Sequence, residues 1–533
     1  MTPPSVSGGS RGPLAIGIGL YLALTAVLLW LGLRQTGRAF VYAQDDPYIH
    51  LSLARTLADH GVWGLRSDQF ASASSSPLWT LLLAAVWSAG AHAVWWPFVL
   101  NIVCGVGVLA VADAMTRDFM DRRSRAILLA ALVAITPLPT LALIGMEHTL
   151  QVLLSIALAW QSARWLEGED TVRTLTVCAL AAALTATRYE GLFLVAAVAS
   201  LLVMRQRIGH AAALVVAAFV PIAVYAAYSV SNGALVLPNS VLMKSQPGRF
   251  GTLADGIGAV LRDSATVFSL FSRPPELALT LGLLLAISRA GAMKTRAVSR
   301  AVVLGSIFTI AMLLHACLVK LEWFYRYEAA LIGLGVLALA SLVAQRESRA
   351  ALLTPLMSSA AGTTLVALLA LPLATRALSA LAVTPGAMRN VFEQQYQMGR
   401  FFSAAYPDDT IAVNDIGAVA WLSSSRIVDI YGLATQEVAN LKRQRQWDRA
   451  SLEAIAVRRQ VRAVAMYQRV FEPIIPRSWT LVGEWTIANN VGVSEDTVGF
   501  YAPTPGDVKR LHDALDAFAT ALPGTVKYNA VSK

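Results

Sequence analysis

Charged side chains are scarce in this sequence: they make up 14% of its 533 residues, against 56% hydrophobic residues. The mean hydropathy of +0.56 is too high for an ordinary globular chain of this length. Apolar runs of about 20 residues, the length that crosses a bilayer, recur from Pro13 to beyond Leu371. The fold class predicted is mainly α, a polytopic transmembrane helical bundle of about 11 spans.

Cysteine is also rare, which argues against a disulfide framework or a thiolate metal site. The sequence holds only Cys104, Cys178 and Cys317, all within apolar runs. The N-terminal run from Leu14 to Leu33 has no small-residue cleavage pattern and should remain as the first span. The net charge of +10 comes from short basic clusters between apolar runs, which indicates membrane lipids rather than nucleic acid as the partner.

Four basic linkers define the predicted topology. The positive-inside rule assigns to the cytoplasm the linkers 117–125, 204–210, 289–300 and 345–349. Counting spans then assigns to the outer side the linkers 145–148, 188–191, 232–264 and 320–328, with the C-terminal region. The first outer loop covers 35–76. To keep this count, Pro77 to Ala89 is predicted to be a re-entrant or interfacial helix, and only Pro97 to Met115 crosses.

A soluble tail is predicted after Pro385, which divides the chain into a bundle (1–384) and a small extracytoplasmic α/β domain (385–533). Short β-rich runs are predicted at Thr410 to Asn414, Arg426 to Ile430 and Arg462 to Tyr467. Helices are predicted between them, for example from Arg449 to Gln460. A closing amphipathic helix is predicted from Asp507 to Leu522.

Asp45 and Asp46 lie about ten residues after the first span and precede a segment with helical periodicity, Ile49 to His60. Adjacent carboxylates repel each other, which favours a shared proton or a cationic partner. Either arrangement suits a general base that takes a proton from a sugar hydroxyl. The dipeptide alone is more often a helix cap, and that alternative stays open at this point.

The segment "QDDPYIHLSLARTLADHGVWG" resembles the first outer loop of GT-C glycosyltransferases that use polyprenyl-phosphate sugars. That superfamily carries an acidic pair soon after the first span, then an aromatic or apolar helix that ends near a Gly-rich turn. The matching residues in this sequence are Asp45, Asp46, Tyr48, Ile49, Leu57, Ala58, Gly61 and Gly64.

Further motifs match this superfamily in the same order along the chain: "GMEHTL", "TRYEGLF", "LPNSVLMK" and "FYRYEAAL". Tyr189 stands where the superfamily commonly has proline, and Ala329 or Ala330 where the last proline would fall. The tail segment "DDTIAVNDIGAVAWLSSSRIVDIYGL" resembles the soluble domain of the mycobacterial terminal arabinofuranosyltransferases. The resemblance therefore extends over most of the chain.

The resemblance and the predicted topology together give a candidate site at one end of the bundle. Asp45 and Asp46 are the candidate catalytic residues. The cationic candidates for the donor's lipid phosphate are Arg188, Lys244 and Arg326. The candidates for other substrate contacts are Tyr48, Glu147, His148, Glu190 and Asn239.

Each assignment has a structural alternative. Glu147 and His148 could form a solvated helix start, and Arg188 could simply pair with Glu190. Lys244 and Arg326 could be interfacial side chains that reach toward the headgroups. In the tail, Asp415 and Asp429 could contact the acceptor, but acids at strand ends are more often turn formers, and neither is assigned catalysis.

The function implied is inverting transfer of a sugar from a polyprenyl phosphate to a cell-envelope glycan or lipid acceptor, at the outer face of the plasma membrane. One of Asp45 and Asp46 would act as the base. Arabinofuranose is the sugar that the tail resemblance suggests, and no metal or other cofactor is expected. The alternatives are a transporter or flippase for a lipid-linked sugar, with charges deep in its spans, and a non-catalytic envelope assembly protein.

Overall fold

Helices dominate the bundle. The computed structural model describes residues 12–166, 171–244, 274–290, 296–318, 324–344 and 358–531. The helices before the tail are α1 (Gly12–Gln35), α2 (Asp46–His60), α3 (Pro77–Ser88), α4 (Trp96–Thr116), α5 (Arg122–Ile135), α6 (Leu138–Ile144), α7 (His148–Leu166), α8 (Thr171–Thr187), α9 (Gly191–Met204), α10 (Ile208–Ser231), α11 (Asn239–Lys244), α12 (Pro274–Ala290), α13 (Arg296–Leu318), α14 (Ala329–Val343) and α15 (Ala360–Val391).

Several of these helices are long and apolar enough to cross a membrane. Among the described residues, the five that meet this measure are Gly12–Gln35, Trp96–Thr116, Arg122–Ile144, Ile208–Ser231 and Gly362–Ala405. Five shorter apolar helices accompany them, at Pro77–Ser88, Arg173–Thr187, Gly191–Met204, Arg300–Ala316 and Ala329–Val343. Helices suit the bilayer because they satisfy every backbone polar group internally. The protein is an integral membrane protein, while the count of about 11 spans stays a prediction.

The segment predicted as a re-entrant or interfacial helix is helical, as α3 (Pro77–Ser88). Its 12 residues are about 18 Å long, well short of the roughly 30 Å of hydrocarbon in a bilayer. Its fully buried Trp79 belongs to a small apolar cluster that includes Ala54 of α2. The helix is therefore packed against the first outer loop, and its depth in the membrane stays a prediction.

The arginines of the linker after α9, predicted to be cytoplasmic, lie at the ends of helices. Arg205 and Arg207 donate hydrogen bonds to the carbonyls of Leu166 and Trp165, at the C-terminal end of α7. Arg188 lies between α8 and α9, at the other end of α9. The bundle therefore has a basic end with Arg205 and Arg207, and the candidate site lies at the opposite end.

The tail contains a six-stranded mixed sheet. Its strands are β1 (Thr410–Val413), β2 (Arg426–Asp429), β3 (Val461–Tyr467), β4 (Thr480–Thr486), β5 (Thr497–Ala502) and β6 (Lys527–Ala530), in the order β2-β1-β3-β5-β4-β6. β1 is parallel to β2 and β3, whereas β5, β4 and β6 continue the sheet by antiparallel pairing. The three strands predicted from sequence are confirmed to within a residue or two.

Helices of the tail follow a π-helical turn, Phe392–Tyr396, that continues directly from α15. They are α16 (Gln397–Ala405), α17 (Gly417–Leu422), α18 (Gln436–Arg443), α19 (Arg449–Arg458), α20 (Gln468–Phe471) and α21 (Pro505–Ala519). The predicted helix from Arg449 and the closing amphipathic helix are thus present. Since α15 continues through Pro385, the division at 384/385 falls inside a helix and stays a prediction.

The tail shares a hydrophobic core with the first outer loop. Ile49 and Leu53 of α2, and Trp63 just after it, belong to the same buried cluster as Phe401 and Ile416 of the tail. Because apolar burial is the dominant stabilising term, this shared core fixes the tail on α2. The N-terminus of α2, with its two aspartates, therefore lies where bundle and tail meet.

Candidate active site

Asp45 binds the start of a helix in the tail. Its Oδ2 accepts a hydrogen bond from the backbone N–H of Gly417 and its Oδ1 accepts one from Ala418, both at 2.7 Å. These N–H groups open α17, and the first N–H groups of a helix have no partner inside it. Asp45 makes no side-chain hydrogen bond to its own helix, α2. Asp45 is therefore a helix cap, as one of the two alternatives from the sequence suggested, but it caps α17 and not α2.

Gly417 is the residue that permits this approach. A Cβ added at Gly417 would lie 2.1 Å from the backbone oxygen of Asp45 and 2.7 Å from its Oδ2. Ordinary van der Waals contacts of a Cβ begin near 3.4 Å. A side chain at this position would therefore push α17 away from the aspartate.

Asp46 forms an ion pair with Arg326, which comes from the turn before α14. Arg326 Nη2 donates to Asp46 Oδ2 at 2.7 Å, and the arginine is almost completely buried. Its Nε and Nη1 have no acceptor among the described residues. A buried donor without an acceptor costs about 1–3 kcal/mol, so these nitrogens are suited to the oxygens of a bound anion. The Asp46 side chain keeps 21% of its surface exposed.

A second arginine holds the turn that carries Arg326. Arg376 of α15 donates to the backbone oxygen of Tyr325 at 2.7 Å and forms a buried ion pair with Glu328. Phe324 and Tyr325 both have positive φ, +53° and +61°, a conformation that is strained for aromatic residues. The contacts of Arg376 offset this strain and thereby fix the position of Arg326.

Arg188 is saturated by two carboxylates. Its Nη1 donates to Glu147 Oε1 at 2.7 Å, while its Nε and Nη2 donate to the two oxygens of Glu190 at 3.2 and 2.6 Å. Arg188 and Glu147 are buried. The cluster of Arg188, Glu147 and Glu190 therefore carries a net negative charge, which would repel a phosphate. This favours the structural alternative, in which Arg188 pairs with glutamate.

His50 and Tyr327 connect these groups, and the sequence interpretation had assigned neither of them to the site. His50 Nε2 lies 3.8 Å from Glu147 Oε2, and its Nδ1 hydrogen-bonds with the Thr80 hydroxyl at 3.0 Å. The ring of Tyr327 lies 5.3 Å from the Arg188 Cζ and 5.2 Å from the Arg326 Cζ, within cation–π range of both. The ring of His148 lies 5.9 Å from the Tyr327 ring.

The structure thus brings together seven of the ten predicted site residues. The contacts described above join Asp46, Glu147, His148, Arg188, Glu190 and Arg326, and Asp45 belongs to the group as the chain neighbour of Asp46. The position of Tyr327 inside the quoted "FYRYEAAL" segment was the one available signal for it. His50, one turn along α2 from Asp46, is a helical neighbour that the same reasoning could have included.

Asp415 adds a third carboxylate from the tail. Its Oδ2 accepts hydrogen bonds from Gln395 Nε2 at 2.7 Å and from the Tyr467 hydroxyl at 2.6 Å. Burial raises the pKa of Asp45 to about 8, and the charge of Asp415 adds to that rise. Burial also raises the pKa of Asp415, with a further contribution from the charge of Asp46. Asp415 lies two residues before Gly417, which binds Asp45, and its interpretation as a turn former does not describe its contacts.

Asp429, in contrast, is a turn former as expected. Its carboxylate accepts hydrogen bonds from the backbone N–H groups of Tyr431, Gly432 and Ala434. A carboxylate that organises the loop after a strand in this way serves the fold of the tail.

The remaining predicted residues lie at other places. Tyr48 is fully buried, and its hydroxyl accepts a hydrogen bond from the Tyr42 backbone N–H at 3.2 Å, which favours a structural role. Asn239 donates from Nδ2 to Gln436 Oε1 at 3.1 Å and so joins α11 to the tail. Lys244 ends α11, but its side chain lies outside the described residues.

Comparison with solved structures defines the class of fold. ArnT from Cupriavidus metallidurans, in the crystal structure bound to undecaprenyl phosphate, aligns with a TM-score of 0.50 and 11% identity, over 94% of this chain and 99% of that chain. Its apo structure gives a TM-score of 0.46 and 14% identity, over 92% and 98%. The oligosaccharyltransferase of Archaeoglobus fulgidus gives 0.46 and 11%, over 93% and 73%. The first of these alignments identifies the fold as GT-C, as the sequence predicted.

A family model and a search of curated proteins complete the comparison. The model described as "Domain of unknown function (DUF8728)" matches residues 388–501, which cover most of the tail. No curated protein matches the sequence. The family model therefore covers the region that contains Asp415, Gly417 and Tyr467.

Proposed function

We propose that this protein is a membrane glycosyltransferase that transfers a sugar from a polyprenyl phosphate to a hydroxyl group of a cell-envelope glycan or lipid. The observation that carries the proposal is the pair of Asp46 and Arg326 at the junction of bundle and tail. It joins a partly exposed carboxylate to a buried guanidinium with two nitrogens that lack acceptors among the described residues. The likeness of the fold to ArnT bound to undecaprenyl phosphate supports a polyprenyl phosphate as the donor.

Asp46 is the proposed general base. It takes the proton of the acceptor hydroxyl while the new bond forms between that oxygen and the anomeric carbon. The bond from this carbon to the phosphate oxygen breaks, and the configuration is inverted. Asp45 is the less suitable base because each of its oxygens already accepts a backbone N–H. Its proposed role is to hold α17 and, with it, Asp415 beside the reaction.

Arg326 is the proposed ligand of the donor phosphate, together with Lys244, the cationic residue of the "LPNSVLMK" motif. Positive charge at this position stabilises the negative charge that the leaving phosphate develops. Arg188 is proposed to act indirectly, since Glu147 and Glu190 occupy its guanidinium. Contact with the substrate is proposed for His148, Glu147 and Glu190, whereas the hydrogen bonds of Tyr48 and Asn239 favour structural roles for these two residues. Arabinofuranose as the sugar and the outer face of the plasma membrane as the location are proposals of the same kind.

Substitution of Asp46 by asparagine tests the proposal. The purified full-length protein in proteoliposomes is incubated with a panel of radiolabelled polyprenyl-phosphate sugars and a cell-envelope acceptor extract. Asp46→Asn is expected to lower the rate of transfer by about 10²–10⁴-fold, the usual contribution of a general base. Asp59→Asn is the matched control, because Asp59 lies on the same helix but is exposed.

The two alternative classes predict different results in this assay. A transporter would move the labelled lipid across the bilayer without forming a product, and a scaffold protein would be insensitive to Asp46→Asn. Full transfer by Asp46→Asn would contradict the assignment of the base. Absence of transfer from every donor of the panel by the wild-type protein would contradict glycosyl transfer from those donors.

A further inference from the structure

A cleft of about 240 Å³ lies between the first outer loop and the tail, at a distance from the acidic pair. One wall comes from the loop, with Arg66, Asp68 and Phe70. The other wall comes from the tail, with Ser423, Arg426 and Arg459. The tail wall includes β2, the edge strand of the sheet. No residue of the proposed reaction centre lines this cleft, so it is a separate feature of the molecule.

The charge of the cleft is positive. Three arginines line it with a single acid, Asp68, and one of the three, Arg459, forms an ion pair with Glu437 at 3.6 Å, which leaves the cleft with an excess of positive charge. The guanidinium of Arg426 is exposed and makes no hydrogen bond or ion pair to any residue in the described ranges. Arg66 forms an ion pair with Asp68, its Nε 3.6 Å from the carboxylate, and its Nη1 donates to the carbonyl of Ser424. Its Nε is buried and has no hydrogen-bond acceptor in the same part of the chain. Arginines with unused donors are suited to phosphate and carboxylate groups.

The rest of the lining suits a saccharide. Thr410, Ser423 and Thr435 line the cleft beside the apolar residues Phe70 and Ile427. Sites for small polar ligands combine apolar walls with a few polar groups that fix the orientation of the ligand. A sugar ring is complementary to such a lining, because its C–H groups can pack on the apolar side chains and its hydroxyls can bind the polar groups.

The helix α17 connects the cleft to the reaction centre. Its first residue, Gly417, donates to Asp45, whereas Ala420 near its other end lines the cleft. Six helical residues span about 9 Å, a distance that a short oligosaccharide bridges. Arg55 of α2 donates to the carbonyls of Ala420 and Trp421 at 3.3 Å each, which fixes this end of α17 on the first outer loop.

We propose that this cleft binds the acceptor, and that the acceptor is an anionic saccharide that carries a phosphate or carboxylate group. The acceptor role rests on the proposed glycosyl transfer, while the binding of an anionic saccharide is a property of the cleft alone. Arg426 and Arg66 contact the anionic group, and the hydroxyl-bearing wall contacts the sugar. The end of the saccharide nearest to α17 then presents its hydroxyl toward Asp46.

A cysteine introduced at Ser423 reports on the cleft without any donor. The full-length Ser423→Cys protein is labelled with an anionic and with a cationic methanethiosulfonate reagent of similar size, and labelling of the parent protein is subtracted. A positively charged cleft concentrates anions, so the anionic reagent is expected to react about tenfold faster, at the low end of electrostatic rate effects. Glucose 6-phosphate or glucuronic acid is expected to slow this reaction, and glucose is expected to slow it much less.

Variants at two arginines make the test specific. Arg426→Gln is expected to lose most of the preference for the anionic reagent and most of the protection by the charged sugars. Arg477→Gln, at another exposed arginine of the tail, is the matched control and should behave as the parent. Protection by only one of the two charged sugars identifies the phosphate or the carboxylate as the recognised group.

Three results would overturn the inference. They are equal reactivity of the two reagents, protection by glucose equal to that by the charged sugars, and equal effects of Arg426→Gln and Arg477→Gln. Because no donor is present, these results are independent of glycosyl transfer. An inactive enzyme that still shows the protection would refute the proposed function and retain the anionic saccharide site.

Discussion

Substitution of Gly417 by alanine is expected to detach the start of α17 from Asp45. The added Cβ would lie 2.1 Å from the Asp45 backbone oxygen, so α17 must withdraw by more than about 1 Å to restore an ordinary contact. Both hydrogen bonds to the carboxylate, now 2.7 Å long, would then exceed hydrogen-bond distance. The substitution thus breaks two contacts between the first outer loop and the tail while it leaves the aspartate in place.

The magnitude is worked for about pH 9, above the folded pKa of Asp45 of about 8, where the acceptor carboxylate is charged. A hydrogen bond to a charged group contributes about 1.5–3 kcal/mol, and two bonds to one carboxylate are not additive. A combined loss of about 3 kcal/mol corresponds to an increase of about 100-fold in the opening equilibrium of this segment. Amide hydrogen exchange reports that equilibrium for local opening.

Hydrogen exchange at about pH 9, where Asp45 is charged, followed by mass spectrometry on the full-length protein in detergent micelles, measures this change. The peptide that contains Gly417 and Ala418 is expected to exchange about 100-fold faster in Gly417→Ala than in the wild type. Gly524→Ala is the matched control in the tail, because a Cβ added at Gly524 meets no atom within 4 Å. Unchanged exchange in Gly417→Ala, or an equal increase in Gly524→Ala, would refute the reasoning about this contact.

Two further predictions concern the charges around the site. Arg376→Gln is expected to destabilise the protein by about 3–5 kcal/mol, because it leaves Glu328 as an unpaired buried charge; an unchanged melting temperature in a thermal unfolding experiment would contradict this. Thermal stability is also expected to fall as the pH rises from about 6 to about 8, because burial, and then the charge of Asp415, raise the pKa of Asp45 to about 8 in the folded protein. The folded state then holds a proton that the unfolded state has already lost, so the stabilisation is present at low pH and is lost as the pH approaches the folded pKa. The same pH series on Asp45→Asn should give a shallower slope, and equal slopes would contradict the assignment to this residue.

Local pattern was sufficient for the elements of the fold. Apolar runs of membrane-spanning length predicted α1 and α4, because only a helix can satisfy its own backbone in lipid. Short β-rich runs between turn residues predicted β1 and β2 almost to the residue. The distribution of basic linkers also predicted which residues lie on the same side of the membrane. It assigned Asp46 and Arg326 to the same side of the membrane, and the structure joins them although 280 positions separate them.

The contacts of individual side chains could not be predicted from local sequence patterns. The contact of Asp45 with Gly417 depends on how the tail docks on α2, and docking is set by shape across the shared core rather than by periodicity. Asp415 was set aside for the same reason, since its neighbours Gln395 and Tyr467 come from other tail elements. For Arg188 the sequence offered both pairing and phosphate binding, and only the two short contacts to carboxylates favour the first.

When both are ionised, above the folded pKa of Asp45 of about 8, the two adjacent aspartates are compensated by different parts of the molecule, and this separation explains how both can be held side by side. The bundle supplies a cation for Asp46, while the tail supplies two backbone N–H groups, at the positive end of a helix, for Asp45. Without the docked tail, Asp45 would lose these two donors, and its charge would lie beside the pair of Asp46 and Arg326 without that compensation. The pairing of Asp46 would then weaken as its neighbour competed for the same guanidinium. Docking of the tail is therefore a condition for the charge arrangement at the proposed reaction centre, even though the proposed base and the proposed phosphate ligand both lie outside the tail.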